Sequence, residues 1–437
     1  MWVLPRTCNH EAAELGESVS ASLGRFRIAA RAGNGLWGLC DHGLVSGVNF
    51  LTIVLVARAV TPAEFGAFVL AFTVILTTLT LQAALITRPH NVLGAVRHGD
   101  DYANYSTTAA VVQVGFTGVL TLLCVAAAGL AYALGLGWEL LLLALALAVC
   151  AWQLQEFGRR MLYTERRLGA VLVNDILSYG GQAVALLVLW RLDALTATRA
   201  LLTLAGAFAV GAVVLSVQLR HALSGRFDTA SLSANWHFGK WLTLAETAQW
   251  FSTQFYIYLA AVVAGAVASG ALKAGQTLLG PVAAFLAFFT SYLPIVFVGE
   301  LERGGSLSGK VRSSLVFILP VVVPYCLLAA VFASPLLELV YGPEYGRYAE
   351  VVVLFAAYYI ALSFSTVAVA ALSARGMSRD LFVGQLGGAL LSLAIGWVLL
   401  VHFGPGGGVA GMFLSWGAAM ALFLRATKSR AADPSAG

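Results

Sequence analysis

A handful of side chains inside the apolar stretches of this 437-residue chain could hold a charge, pass a proton or bind a polar ligand. Asp41, His42 and Asn49 fall within the apolar run 36–60, and Arg58 stands near its end. Gln82 leads to Arg88 in the next run. Asn174, Asp175 and Gln182 share a later one, Glu246, Gln249 and Gln254 another, and Lys273 and Gln276 the one after that. In hydrocarbon such groups cost several kcal/mol each unless they face a cavity or a partner. Carboxylates and imidazole can carry protons or cations. Arg and Lys make charge-assisted hydrogen bonds to phosphate-like anions, and Asn and Gln can line a wet pocket.

Each residue also has a plainer reading that the sequence leaves open. Arg58 and Lys273 lie near a membrane boundary, where they could snorkel to water. Asp41, His42, Asp175 and Glu246 fall near helix ends, where interfacial water or an ion pair with Arg88 or Lys240 would satisfy them. Gln82, Gln249, Gln254 and Gln276 suit hydrogen bonds between helices.

The elements that must position them are membrane spans. The chain is 59% hydrophobic and 11% charged, with mean hydropathy +0.84, whereas soluble domains carry roughly 25% charged residues. Runs of about twenty apolar residues divide it into twelve expected spans: 36–60, 67–86, 107–134, 138–154, 170–190, 200–219, 241–264, 270–297, 313–331, 349–372, 381–401 and 409–424. The polar interlude 220–240 separates six from six and could lie on the membrane surface. With the N-terminus inside, every Lys and Arg of the 26 falls on inner segments except Arg58, Arg191, Arg199, Lys273 and Arg347. Cytoplasmic segments collect such residues, so both termini are expected in the cytoplasm. The same bias accounts for the net charge of +5, and no nucleic acid partner is implied.

The expected organisation is therefore an arm, 1–35, a first lobe, 36–219, the linker, 220–240, a second lobe, 241–424, and a tail, 425–437. An ungapped offset sets Trp37 on Trp241, Leu55 on Leu259, Gly66 on Gly270 and Thr73 on Thr277, as duplicated halves would. It also brings His42 onto Glu246. Pro281, Pro294, Pro320 and Pro324 interrupt the eighth and ninth spans, freeing backbone carbonyls and bending them.

Enzyme chemistry finds no footing. The sequence has no phosphate-binding G-x-x-x-x-G-K-[ST], H-E-x-x-H or G-x-S-x-G pattern. Five cysteines without metal-ligand spacing argue against a disulfide framework or zinc site. No catalytic residue, metal or cofactor is expected.

Five segments carry a family resemblance: ARAVTPAEFGAF from Ala57, QEFGRRMLYTERR from Gln155, FGKWL from Phe238, YGPEYGRYAEVV from Tyr341 and GVAGMFLSW from Gly408. In this order, against twelve spans, the chain resembles the O-antigen-type flippases, the polysaccharide-transporter branch of the multidrug/oligosaccharidyl-lipid/polysaccharide (MOP) exporter superfamily. The resemblance implies an all-α, MATE-like inverted-V membrane protein of two six-helix lobes that alternates between inward- and outward-open states. It further implies a lipid cargo, an undecaprenyl-diphosphate-linked oligosaccharide, carried across a bacterial inner membrane, with glycan polymerase and other glycan-assembly proteins as partners. Relatives of this kind line their cavity from helices one, two, seven and eight, with cations for the diphosphate. The substrate candidates are then Arg58, Arg88, Lys273, Asn49, Gln254 and Gln276, and the ion-coupling candidates are Asp41, His42, Asp175 and Glu246. A cation or drug antiporter of the same superfamily and a non-transporting scaffold in a glycan-assembly complex are the alternatives.

Overall fold

The computed structural model describes residues 32–375 and 378–432. The arm expected at 1–35 lies almost wholly outside these residues. Helices α1 (Ala32–Ala59), α2 (Pro62–Gly94), α3 (Gly99–Ala133), α4 (Glu139–Thr164), α5 (Leu168–Arg191) and α6 (Ala197–Gln218) form the first half. The second comprises α7 (Thr229–Thr253), α8 (Phe255–Ala264), α9 (Ala266–Leu278), α10 (Gly280–Glu302), α11 (Leu307–Val331), α12 (Ala333–Tyr341), α13 (Ala349–Ala374) and α14 (Ser378–Ala432). No strand occurs among the described residues.

Nine helical runs among the described residues are long and apolar enough to cross a membrane, against twelve expected spans. The difference lies in how helices break. The seventh rod divides at Gln254 into α7 and α8, and the eighth divides at Leu279 into α9 and α10. In α14 the backbone leaves helical geometry at Gly404, with φ 58° and ψ −146°. Gly407 then lies against the carbonyl of Leu399, a residue that a straight helix would hold about 12 Å away at 1.5 Å per residue. The chain therefore folds back at Gly404, and α14 is two antiparallel limbs. Twelve crossings are consistent with this arrangement.

Two further differences come from buried polarity. Residues 155–167 look like a charged loop, yet α4 continues through them to Thr164 because their charges are paired inside the protein. The interlude 220–240 is not a surface segment throughout, since α7 starts at Thr229 with Asp228 as its cap. Asp228 accepts from the amides of Ala230 and Ser231 at 3.1 and 2.8 Å, and the bonds from Ser231 hold its carboxyl below the ordinary pKa. Ser231 and Asn235 are buried against α2 and α3: Arg97 donates to Ser231 Oγ at 3.0 Å, Tyr105 to Asn235 Oδ1 at 3.0 Å, and Asn235 Nδ2 to the Leu85 carbonyl at 2.8 Å.

Helices α3 and α11 are the periphery. Only 17% and 22% of their apolar windows are buried, against 56% for α4, and Leu122, Leu123, Val316, Phe317 and Leu328 project outward. A belt of this kind suits lipid and would aggregate in water. The first half packs around Trp152, stacked on Phe208 at 4.3 Å and flanked by Tyr179 and Phe72.

The turn between α1 and α2 ties the halves together. Thr61 caps α2 and Pro62 occupies its first turn, a position that needs no backbone donor. The Glu64 carboxylate reaches across to accept from the Ala197 amide at 2.8 Å, satisfying the N-terminus of α6. Phe65 is fully buried, with the Tyr345 ring edge-on at 5.8 Å. Gly66 lies so close to Ala266 that a Cβ there would collide with its carbonyl. Gly270, the residue that the offset sets opposite Gly66, meets Phe65 at the same crossing. Equated residues that touch each other are what a two-fold axis through the α2–α9 crossing would produce.

This crossing predicts a local intolerance to volume. Gly66→Ala should lower the apparent Tm of the detergent-purified protein by several degrees, since overpacking costs about 1–3 kcal/mol. Gly115→Ala, which meets nothing within 4 Å, should leave it unchanged. Equal melting of the two variants would contradict the crossing.

Candidate functional site

Three features hold the polar chemistry: a buried charge cluster in the first half, a seam along α2, and a cavity in the second half. The cluster forms where α1, α4 and α5 meet. Its centre is Arg159, 4% exposed. Nη2 donates to Asp41 Oδ2 at 2.6 Å, Nε to Asp175 Oδ2 at 2.7 Å and Nη1 to Glu156 Oε2 at 3.2 Å. Tyr163 donates its hydroxyl to Asp41, and Arg160 Nε donates to Glu156 Oε1 at 2.6 Å. Asp41 and Asp175 are 2% and 0% exposed. Gln155 bridges Asn174 and Asp175, and Asn174 is anchored on the Gly211 carbonyl at 2.8 Å. With every group ionised, three carboxylates face two guanidiniums. A low-dielectric site amplifies that one-charge excess, so the cluster suits a proton or a monovalent cation.

The seam runs the length of α2. At the Phe65 end Arg58 donates to the carbonyls of Val340, at 2.8 Å, and Leu339, so a first-half cation caps the C-terminus of α12. Midway, Trp250 Nε1 donates to Thr77 Oγ1 at 2.8 Å. At the other end Arg88 pairs with Glu246.

Lys273 lies on α9 one turn beyond Gly270, on the face that α9 turns to α2, and is 9% exposed. Its Nζ donates to Gln276 Oε1 at 3.1 Å, and no carboxylate lies within 4.0 Å of it among the described residues. Gln276 in turn lines a cavity of about 440 Å³, walled by α10, α13 and α14 and by Gln254 at the α7–α8 break. Tyr358, Tyr359, Ser365, Thr366 and Trp416 also face it.

The structure thus brings Asp41 together with Asp175, Arg88 with Glu246, and Lys273 with Gln276 and, across the cavity, Gln254. Arg58 stands apart on α12. Asn49 lies on α1 with its Oδ1 buried and unpartnered. The side chains of His42 and Gln249 lie outside the described residues. The described residues that line this cavity all come from the second half, whereas the resemblance implies a lining from helices one, two, seven and eight. Snorkelling does not apply to Lys273, which is buried.

Sequence reasoning passed over Arg159, Glu156 and Tyr163, which sit in the segment read as a loop. Their signal was the i, i+3 spacing of Glu156 and Arg159 continuing the apolar period of 138–154. It also passed over α13, where Tyr358, Ser365 and Thr366 form a polar stripe seven and eight residues apart.

Comparison with known proteins agrees with this architecture. The family described as "Polysaccharide biosynthesis protein" matches residues 55–350. No curated protein sequence matches the chain. A multidrug resistance MATE family transporter of the MOP superfamily, in an inward-facing conformation, superposes with a TM-score of 0.69 at 15% identity, over 89% of this chain and 96% of that one. The lipid II flippase MurJ, in an inward closed conformation, gives 0.66 at 11% identity over 90% and 87%. A MOP superfamily transporter from Pyrococcus furiosus gives 0.57 at 14% over 89% and 93%. The fold is that of MATE-like MOP transporters.

The cluster makes a stability prediction. Arg159→Met leaves buried carboxylates unpaired and should cost about 3–5 kcal/mol, seen as a large drop in apparent Tm or in folded yield. Adding Asp175→Asn should recover part of that loss. A double variant no more stable than Arg159→Met would contradict the pairing.

Proposed function

The chain belongs to the polysaccharide biosynthesis protein family, and from that premise we propose that it is a flippase carrying an undecaprenyl-diphosphate-linked oligosaccharide from the inner to the outer leaflet of a bacterial plasma membrane. The observation that supports this most is Lys273: a buried ammonium without a carboxylate partner among the described residues, beside a cavity of amides, hydroxyls and aromatic rings. A buried cation with only an amide for company is poorly compensated, and a diphosphate would supply the missing charge. Arg58 and Arg88 serve as further anion contacts once the seam opens. Both pair with second-half groups across α2, so breaking one while keeping the other is how the lobes, 36–219 and 241–424, would alternate.

The Asp41–Arg159–Asp175 cluster is the coupling site. Proton or cation binding would neutralise its excess carboxylate, release part of the hold on Arg159 and loosen α1 from α4 and α5. Glu246 joins this by its pair with Arg88. Both termini face the cytoplasm in this reading, and glycan polymerase and other assembly proteins receive the product. The same carboxylate excess supports a second reading, a cation or drug antiporter.

The test is a leaflet-accessibility assay in proteoliposomes with fluorescent lipid-linked oligosaccharide. Lys273→Ala should slow flipping about tenfold or more, the worth of a charge-assisted hydrogen bond, and Lys273→Arg should retain most of it. Wild-type flipping in Lys273→Ala would remove Lys273 from the site. No flipping by the wild-type protein, together with resistance of expressing cells to lipophilic cations, would favour the antiporter.

A further inference from the structure

The cavity's chemistry narrows its ligand beyond what the fold implies. None of the described residues that line it is charged. Lys273 is not among the described lining residues, and its Nζ donates to Gln276 Oε1 at 3.1 Å. An ammonium can donate but never accept, so the Gln276 amide is held with its oxygen towards Lys273 and its NH₂ free for the cavity. An acceptor comes from Gln254, whose Oε1 is buried without a hydrogen-bond partner. Ser365, 3% exposed, has an Oγ with no partner. The cavity therefore offers an oriented donor, an unpartnered amide acceptor and a hydroxyl that can serve as either.

A ligand that satisfies these three must itself donate and accept at closely spaced points, as the hydroxyls of a pyranose do. The faces of Tyr358, Tyr359 and Trp416 supply flat apolar surface for the C–H face of such a ring. A volume of about 440 Å³ falls in the range of small-molecule sites, roughly 300–1,000 Å³. An organic cation would find aromatic rings but no carboxylate among the described lining residues. A carboxylate-bearing sugar would be stripped of water with no cation in contact.

We propose that this cavity is a recognition site for uncharged sugar residues, set apart from the anion contacts on the α2 side of α9. Its physiological ligand, the glycan of the carried lipid, rests on the flippase reading. Sugar binding itself does not.

The experiment is equilibrium dialysis of the purified full-length protein in detergent against galactose, N-acetylglucosamine, glucuronate and tetraphenylphosphonium. Saturable binding of at least one neutral sugar is expected, with glucuronate and tetraphenylphosphonium about tenfold weaker or absent. Gln276→Leu should weaken the neutral sugar about three- to tenfold, the worth of one hydrogen bond. Ser365→Leu, which fills the cavity, should abolish binding, and Ser365→Ala, which adds no bulk, should weaken it while melting like the wild type. Failure of both neutral sugars to bind, equal binding of glucuronate, or tighter binding of tetraphenylphosphonium would each overturn the proposal. Sugar binding without lipid flipping would refute the flippase reading alone. Wild-type flipping in Ser365→Leu would refute the cavity assignment alone.

Discussion

A charge drawn out of water into a bilayer-sized fold needs a partner, and the structure can be read as a record of how each one is met. Arg159 has three carboxylates, Arg58 has the carbonyl end of a helix, and Arg88 has Glu246. Lys273 has an amide oxygen. The first arrangement over-compensates the cation, Arg88 meets a full opposite charge, Arg58 rests on a helix-end dipole, and Lys273 is left wanting. Because these differences are set by which helices meet, the packing of α1, α2, α4, α5 and α9 determines where the molecule can accept a cation and where it can accept an anion. The two places are far apart along the chain and lie in different halves.

That separation gives the α2–α9 crossing its importance. Gly66, Ala266 and Gly270 allow the two backbones to approach as small residues do between membrane helices, and Lys273 follows on the same face of α9. A shift that opened the crossing would expose Lys273 from the α2 side. A shift that closed it would leave Lys273 with Gln276 alone. The turn before α2 fixes one end of this device, since Thr61, Glu64, Phe65 and Gly66 each have a separate contact there. A single substitution in the turn therefore disturbs α2, α6 and α9 together.

Much of this was legible in the residues. The apolar spans and the all-helical fold follow from hydropathy, and the T-P-A-E-F-G turn from residues whose backbone roles are narrow. The extent of α4 did not, because a hydropathy window counts Glu156, Arg159 and Arg160 as charges facing solvent. Folded, they neutralise one another, and the helix continues. For the same reason Asp41 and Asp175, more than a hundred residues apart, gave no sign that one arginine joins them. The cavity was hidden differently: Ser365 and Thr366 look like ordinary helix residues bonding back to their own turn, as Thr366 does at 2.9 Å, and only the three-dimensional packing shows that Ser365 has no such bond.

The contrast between the halves carries a further consequence for coupling. The first half holds a tightly bonded charge cluster, and the described residues that line the second half's cavity are neutral. A change of charge at Asp41 or Asp175 cannot act on the cavity by direct attraction, since α2 and α9 stand between them and screening by protein dipoles and water weakens the field over such a path. What a charge change can do is alter how α1 is held, and α1 ends at Arg58, whose hold on α12 closes the Phe65 end of the seam. Force transmitted along a helix loses little over its length, because the helix is stiff and its hydrogen bonds are internal. In the proposed coupling, a route from the charge cluster to the cavity would run lengthwise through α1, across the Arg58 contact to α12, and on to α9.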